Sequence, residues 1–291
     1  MSVLCLIANP NEPALSHTLV DAVQREVHGE INWLAQGIAC EIVMPTAAKP
    51  EEIARDIVSL LPVDVAHLPL ANRRKKLLVA DMDSTMIDQE CIDELADALG
   101  IKPQVAEITE RAMRGELDFA QALDTRVALL AGLERKVVEE IRRERITLAP
   151  GGRVLVQTMK AYGAFTSLVS GGFTLFAEYF AKRIGFDESI ANVLEFDAQD
   201  RLTGTVRKPI VDKDTKRNRL VELVGDLGIT PAQTLAVGDG ANDLDMLEAA
   251  GLGVALHAKP AVAERADVRI DHGDLTALLY LQGYNEEEFV R

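Results

Sequence analysis

Short apolar runs alternate with helix-periodic stretches along most of this chain. The clearest run is Leu77–Ala80, which ends abruptly at the polar turn 81–85 with the sequence Asp-Met-Asp-Ser-Thr. A run of this length is typical of a strand buried on both faces of a parallel sheet. Residues two apart in an extended chain project to the same side, so Asp81 and Asp83 are expected to face one crevice. The alternative is a strand that simply ends in a helix-capping turn.

The same pattern returns after residue 150. It predicts strands at 164–169, 234–237, 253–256 and 268–270, with helices between them and a hairpin near 192–206. Strands that alternate with helices indicate βαβ units and a mostly parallel sheet. The expected fold class is therefore α/β, a Rossmann-like sheet. Four predicted helices between about 89 and 148 interrupt it, and we expect them to form a cap that excludes water.

Residues 1–72 carry a different pattern, in the order βαββαβ, which predicts a small α+β module. We expect this module to form one domain, at 1–72, and the α/β unit another, at 73–291, with the cap inserted at 89–148. The basic segment 71–76 is interpreted as a solvated linker. The module holds no cluster of catalytic residue types, so a regulatory or dimerising role is predicted for it.

The composition excludes several classes of function. The formal net charge of −15 argues against a nucleic-acid partner, because nothing offsets phosphate repulsion at long range. No apolar run is long enough to span a bilayer, and no secretion signal precedes the first strand. The three cysteines have no metal-type spacing and are interpreted as ordinary buried thiols. A cytoplasmic protein without a membrane partner is expected.

Polar clusters follow three of the predicted strands, at 81–85, 170–174 and 238–243. If these strands are neighbours, four aspartates share one small crevice: Asp81, Asp83, Asp239 and Asp243. Such a concentration of carboxylates needs a hard dication, and Mg²⁺ fits this donor set.

The second cluster is suited to a phosphate group. The hydroxyl of Ser170 and the amides of Gly171 and Gly172 can hold phosphate oxygens at a helix N-terminus. Lys216, at the start of a later helix, can supply a counter-charge to the phosphate and to Asp81, although a lone lysine is more often a surface residue.

Together, these motifs resemble those of the haloacid-dehalogenase superfamily of phosphohydrolases. The words Asp-Met-Asp-Ser-Thr, Val-Ser-Gly-Gly-Phe, a downstream lysine and Val-Gly-Asp-Gly-Ala-Asn-Asp occur in the family's order over residues 77–245. The resemblance extends from about residue 76 to the C-terminus, and the local sequence is most similar to members that hydrolyse O-phosphoserine. It weakens in residues 1–72, where many bacterial members carry an ACT-like module.

The resemblance implies covalent phosphoryl transfer. Asp81 would be the nucleophile, Asp83 the general acid and base, and Lys216 the third catalytic residue. Mg²⁺ would be held by Asp81, Asp239 and the backbone carbonyl of Asp83. Around the metal, the resemblance assigns Asp243 to ordering its ligands, and it places Asn242 beside the substrate.

Recognition of phosphoserine is implied by residues near the cap. Glu90 would pair with the ammonium group, and Arg126 would hold the carboxylate bidentately. Met113 and Phe119 would cover the substrate. Without the resemblance, Glu90 would be interpreted as an acid near a helix N-terminus and Arg126 as a solvated helix residue.

Alternatives stay open at this point. The chain could be a phosphatase for another small metabolite, or a phosphotransferase that passes the phosphate to an alcohol. From a different class, it could be a regulatory protein that binds an amino acid through residues 1–72, and this module could also form a homodimer.

Overall fold

The N-terminal part of the chain is an antiparallel sheet with two helices. The computed structural model describes residues 1–45, 49–113 and 116–291, except for the side chain of Met113. The elements of this module are β1 (Ser2–Ala8), α1 (His17–Val27), β2 (Glu30–Ala35), β3 (Ala39–Met44), α2 (Pro50–Val58) and β4 (Val63–Pro69). The strand order β2-β3-β1-β4 is the split βαβ arrangement. The element order matches the prediction, while the regulatory role stays a prediction.

The rest of the chain is an α/β unit with helices inserted after its first strand. Its elements are β5 (Leu77–Ala80), α3 (Cys91–Ala98), α4 (Lys102–Met113), α5 (Phe119–Ala128), α6 (Arg135–Glu144), α7 (Gly152–Ala161), β6 (Phe165–Phe173), α8 (Thr174–Ile184), β7 (Glu188–Asn192), β8 (Leu194–Phe196), β9 (Leu202–Val206), α9 (Lys213–Asp226), β10 (Thr234–Gly238), α10 (Leu244–Ala249), β11 (Gly253–Leu256), α11 (Pro260–Ala263), β12 (Val268–Ile270) and α12 (Ala277–Leu281). Within the described ranges, no helix is long and apolar enough to cross a bilayer.

The central sheet has six parallel strands in the order β12-β11-β10-β5-β6-β7. Every residue of β5 is fully buried, as expected for an apolar strand covered on both faces. The predicted α/β fold class is confirmed. Because β5 lies between β10 and β6, the three polar strand ends meet at one edge of the sheet.

Strand β1 is buried on both faces of the N-terminal sheet, which explains its unbroken apolar run. Leu4 and Leu6 pack in a cluster with residues of α1 and α2. On the other face, Val3, Cys5 and Ile7 belong to the large core of the α/β unit. Helix α12 packs against β1, and β12 packs against β4. Dimerisation through the module stays a prediction, and a second copy would have to use the helices or the edges of this sheet.

The interpretation of segment 71–76 as a solvated linker is wrong for two of its cations. The side chain of Arg73 is 9% exposed, pairs with Glu41 at 2.6 Å and donates to backbone carbonyls of α12. Lys75 is buried, and its ammonium donates to a backbone carbonyl of the α/β unit at 2.8 Å. The segment crosses the contact between the two parts of the molecule, so its charges find partners there.

The four inserted helices, α3 to α6, form a cap, and backbone hydrogen bonds join it to the rest of the chain at its base and on its far side. At its base, Ile87 and Leu148 form an antiparallel bridge. On its far side, the Gly132 N–H donates to the Leu202 carbonyl at 2.7 Å, and the Leu202 N–H donates to the Leu133 carbonyl at 2.8 Å. The hairpin β8–β9 is therefore joined to the cap, while the exact limits of this domain stay a prediction.

A buried carboxylate also ties the N-terminal module to the α/β unit. Asp64 in β4 accepts the N–H of Asp271 at 2.8 Å and the N–H of Gly273 at 2.7 Å. The N–H of His272 lies 3.2 Å from both carboxylate oxygens. Burial raises the pKa of Asp64, and these three donors oppose the rise. The loop that follows β12 thus depends on a side chain of the first module.

Replacing Asp64 tests this contact. We expect Asp64→Ala to lower the free energy of unfolding by about 2–4 kcal/mol, because three backbone donors lose a charged acceptor. Asp56→Ala, at an exposed position of α2, is the matched control and should change little. Urea unfolding of both variants measures the difference, and equal stabilities would contradict a structural role for Asp64.

Candidate active site

The turn after β5 places two carboxylates at the centre of the sheet edge. The Asp81 N–H donates to the Val237 carbonyl of β10 at 3.0 Å, so the strand pairing extends into the turn. The side chain of Asp81 is buried, and its Oδ1 accepts the N–H of Met82 at 2.7 Å. Pairing with β10 therefore determines where Asp81 lies, and Asp83 follows two residues later on the same turn.

A buried lysine connects this turn with the end of β10. The Nζ of Lys216 lies 2.7 Å from Oδ1 of Asp81 and 2.7 Å from Oδ1 of Asp243. Lys216 is 1% exposed, although it lies in the first turn of α9. Burial alone would lower the pKa of Lys216, but the charges of Asp243 and Asp81 more than offset this effect, and the pKa is raised. The lysine stays cationic.

The third strand end is shaped around Asp243, which is fully buried. Its Oδ2 accepts the N–H of Gly240 at 3.0 Å, while its Oδ1 takes the ammonium of Lys216. A Cβ at Gly238 would lie 2.4 Å from Cγ of Asp243, so only glycine fits there. Asn242 is half-buried, and its Oδ1 lies against Gly240. Both carboxylate oxygens of Asp243 thus accept hydrogen bonds, and through them this residue holds Lys216 and the Gly240 backbone in place.

Asp83 lies where the first and second polar clusters meet. Its Oδ1 accepts the N–H of Cys91 at 3.1 Å, and a Cβ at Gly172 would lie 2.6 Å from its Oδ2. Burial, followed by the charge of Glu90, raises the pKa of Asp83 to about 7. A carboxyl group in this range can both donate and accept a proton near neutral pH.

The second cluster is a bulge in β6 that directly precedes a helix. The pairing of β6 with β7 steps from Val169–Ile190 to Phe173–Asn192, so three residues of β6 face one residue of β7. Within this bulge, the Oγ of Ser170 accepts the N–H of Gly172 at 2.9 Å. Helix α8 begins directly after it, at Thr174.

The amide of Asn192 holds this bulge in place. It is buried, donates to the Gly171 carbonyl at 2.8 Å and to the Val211 carbonyl at 3.1 Å, and accepts the N–H of Val211 at 2.7 Å. Val211 directly precedes Asp212, the N-cap of α9. One side chain therefore connects the glycines of the second cluster with the helix that carries Lys216.

The cap reaches the site through its helix α5. A Cβ at Gly171 would lie 3.2 Å from Cζ of Phe119, so this ring covers the second cluster directly. The other apolar residue expected here, Met113, has a side chain outside the described residues. At Phe119 the structure brings the cap and the sheet edge together, while the role of this ring in covering a substrate stays a prediction.

Glu90 and Arg126 lie on the cap side of the same crevice. The carboxylate of Glu90 is exposed and accepts the hydroxyl of Ser84 at 2.8 Å. Arg126 is half-buried, and its guanidinium donates to the Ala122 carbonyl and to the hydroxyl of Thr109. Burial lowers the pKa of Arg126, while the nearby charge of Glu90 opposes that change.

Three carboxylates at the sheet edge lie close enough together to hold one cation. Oxygen atoms of Asp81, Asp239 and Asp243 all lie within 4.8 Å of one another. Burial and the charge of Asp243 raise the pKa of Asp81, and burial with the same neighbour raises that of Asp239 to about 6. The single positive charge of Lys216 does not balance the three carboxylates. A hard cation bound between them would balance the remaining negative charge, and such cations prefer oxygen ligands.

Several residues that shape the site were not assigned a role from the sequence. The Thr85 hydroxyl donates to Oδ1 of Asp239 at 3.3 Å, and the Cys91 N–H fixes Asp83. A role for Ser84 and Thr85 could have been predicted from the sequence, because these two hydroxyl residues directly follow the two aspartates. Asn192 carries no such signal, because it lies far from any predicted motif.

Comparisons with known proteins agree with this geometry. The sequence model of the haloacid dehalogenase-like hydrolases matches residues 78–248. A phosphoserine phosphatase of Polaromonas sp. strain JS666 is 48% identical over 238 residues, which cover 80% of this chain and 99% of that protein. A phosphoserine phosphatase of Streptomyces coelicolor is 46% identical over 230 residues, which cover 78% of this chain but only 56% of the relative's length.

A solved structure extends the likeness to the N-terminal module. The unliganded crystal structure of a probable phosphoserine phosphatase from Vibrio cholerae has a TM-score of 0.81 and 32% identity to this chain. The match covers 99% of this chain and 88% of that one.

The buried lysine can be tested without an activity assay. We expect Lys216→Met to lower the free energy of unfolding by about 3–5 kcal/mol at about pH 8 in metal-free buffer, because Asp81 and Asp243 lose their counter-charge. Burial holds the pKa of Asp81 above that of the unfolded chain. The folded variant should then bind protons first as the pH falls, so its stability should rise towards about pH 5.5.

Lys213→Met is the matched control, since Lys213 opens the same helix but is exposed and pairs with Asp245 at 3.1 Å. This control should unfold like the unsubstituted chain at both pH values. A Lys216→Met variant as stable as the control would mean that the ammonium does not hold the two carboxylates together.

Proposed function

We propose that this chain, which belongs to the haloacid dehalogenase-like hydrolase family, is a phosphoserine phosphatase that hydrolyses O-phospho-L-serine to L-serine and phosphate. Relatives of that name support the substrate. The observation that carries the proposal is the meeting of three polar clusters under one cap. Asp81 is bridged to Asp243 by Lys216, and Asp83 touches the glycine bulge of β6.

The first chemical step forms a covalent intermediate on Asp81. A carboxylate oxygen of Asp81 attacks phosphorus, and an aspartyl phosphate forms as the bond to the serine oxygen breaks. Asp83 donates its proton to that leaving oxygen. The pKa of Asp83, raised to about 7, supports this role, because the carboxyl group can hold a proton near neutral pH.

The second step releases phosphate. Asp83, now ionised, accepts a proton from water while the water oxygen bonds to phosphorus and the bond to Asp81 breaks. This returns Asp81 as a carboxylate and Asp83 as an acid, so the site is ready for another substrate. Phosphoryl transfer depends mainly on positioning and charge neutralisation, and the rigid turn after β5 suits the first of these demands.

The carboxylate cluster is proposed to hold Mg²⁺. Asp81, Asp239 and the backbone carbonyl of Asp83 would be its protein ligands, while Asp243 stays paired with Lys216 and the Gly240 N–H. When bound, Mg²⁺ would neutralise charge on the phosphate oxygens. The hydroxyl of Thr85 also donates to Asp239.

The bulge of β6 is proposed as the phosphate cradle. Its Ser170 hydroxyl and the amides of Gly171 and Gly172 are suited to phosphate oxygens, and Asn242 of the third cluster is proposed to contact the substrate as well. Gly172 cannot carry a side chain, because a Cβ would meet Asp83 at 2.6 Å. The backbone can therefore approach the phosphate closely. Lys216, which is paired with Asp81, contributes positive charge near the phosphate.

Selectivity for an amino-acid phosphate is proposed to come from the cap side. Glu90 would pair with the ammonium group and Arg126 with the carboxylate of the substrate. The exposed carboxylate of Glu90 and the half-buried guanidinium of Arg126 lie close enough to influence one another electrostatically. Phe119 would exclude water from above the phosphate, and Met113 is proposed to share this role.

A substrate panel tests the whole proposal. We expect release of phosphate from O-phospho-L-serine that needs added Mg²⁺ and stops with a chelator. Phosphothreonine should react at least about tenfold more slowly, because its additional methyl group must fit beneath the cap. A sugar phosphate should be at least equally slow, because it offers neither an ammonium nor a carboxylate group to Glu90 and Arg126. Fast hydrolysis of the sugar phosphate would keep the aspartate chemistry but reject the amino-acid pocket. Transfer of phosphate to an added alcohol in preference to water would favour a phosphotransferase.

Replacing Arg126 tests the carboxylate contact. Arg126→Lys should reduce kcat/KM for phosphoserine about tenfold or more, because lysine keeps the charge but cannot form a bidentate pair. The effect should vanish with O-phosphoethanolamine, which lacks the carboxylate. Arg143→Lys, on the exposed face of α6, is the matched control. An equal loss of kcat/KM on both substrates would show that Arg126 does not recognise the substrate carboxylate.

A further inference from the structure

Glu90 is oriented by a neighbouring turn rather than by its own helix. It is the N-cap residue of α3 with extended backbone, φ −87° and ψ 112°, and its side chain makes no capping hydrogen bond. Its Oε1 instead accepts the hydroxyl of Ser84 at 2.8 Å. The carboxylate of Glu90 is therefore held over the turn that follows β5, near Asp83 and Asp239.

The backbone of Ser84 supports this arrangement. Its φ of 55° lies in the left-handed region, which residues with a Cβ adopt less readily than glycine. Glycine would relieve that cost but would also remove the hydroxyl. The next residue, Thr85, directs its hydroxyl to Asp239. Two adjacent hydroxyl groups thus diverge, one towards the cation site and one towards Glu90.

The charges around Glu90 make such a contact useful. Asp83 and Asp239 lie near enough for the charge of Glu90 to raise the pKa of each, after the larger effect of burial. An exposed carboxylate beside these acids tends to turn towards water. Across the part of the chain that the structure describes, Ser84 supplies the one side-chain hydrogen bond to Glu90. A hydroxyl holds the carboxylate without cancelling its charge, which stays available for a cation.

We propose that Ser84 is a positioning residue that selects for the ammonium group of the substrate by holding Glu90. The role rests on the proposed phosphoserine phosphatase activity and refines it. The side-chain hydrogen bond of Ser84 goes to Glu90, so in this role it contributes to binding of the ammonium end of the substrate. A second tie, from the Cys91 N–H to Asp83, keeps the start of α3 beside the same turn.

The experiment compares two substrates that differ only in the ammonium group. Steady-state kinetics of the full chain with Mg²⁺ are measured for O-phospho-L-serine and for its deamino analogue, 3-phosphooxypropionate. Ser84→Gly should lower the ratio of the two kcat/KM values about fivefold to tenfold, mainly through the KM for phosphoserine. Glu90→Gln gives the value of the ratio when the ammonium partner is lost.

Ser84→Asn should restore the ratio to within about twofold of the unsubstituted chain, because asparagine tolerates positive φ and its amide can donate to Glu90. Ser59→Gly is the control, since this hydroxyl donates only to the Asp56 carbonyl in the first module. Its ratio should equal that of the unsubstituted chain.

The outcomes separate this inference from the proposed function. An unchanged ratio in an active Ser84→Gly variant, or an equal loss on both substrates, would overturn the role of Ser84 alone. A Ser84→Asn variant as impaired as Ser84→Gly would also overturn it. If the unsubstituted chain did not hydrolyse phosphoserine at all, the proposed function would fail, and the inference with it.

Discussion

The burial of the Lys216 ammonium between Asp81 and Asp243 is the constraint on which the site depends. A strand end, a helix start and a turn, far apart in sequence, contribute one charge each, and all three side chains are nearly inaccessible to water. Buried charges persist only with partners at hydrogen-bonding distance, so the positions of β5, α9 and β10 are coupled. The missing side chain at Gly238 and the N–H of Gly240 complete the surroundings of Asp243 for the same reason.

Much of this arrangement follows from local sequence. An apolar run that ends in aspartates is a local signal, and a parallel sheet brings the ends of its strands to one edge. The meeting of Asp81, Asp239 and Asp243 could therefore be predicted. For Lys216, Glu90 and Arg126 the residue types alone predict surface positions, and only the resemblance to a family pointed to the crevice. The roles of these residues stay predictions until they are tested by substitution.

The features that escaped prediction are single polar contacts between distant residues. Asn192 lies about twenty residues after the bulge it holds, and the partners of Arg73 come from both ends of the chain. Such contacts leave no trace in hydropathy or periodicity. The sequence predicts that the strand ends at residue 169, because glycines suggest the end of a strand, whereas the chain continues as an irregular strand to Phe173.

The burial of β1 on both faces affects how an experiment that deletes the N-terminal module must be interpreted. Val3, Cys5 and Ile7 belong to the same core as the central sheet, and Glu41 balances the buried charge of Arg73. Cutting the chain at residue 72 would uncover α12 and leave that guanidinium without its counter-ion. The first module therefore covers part of the core of the α/β unit. A truncated chain would be destabilised in addition to losing any amino-acid sensing by this module. Substitutions on the solvent-exposed side of α1 and α2 can separate the loss of sensing from the loss of stability.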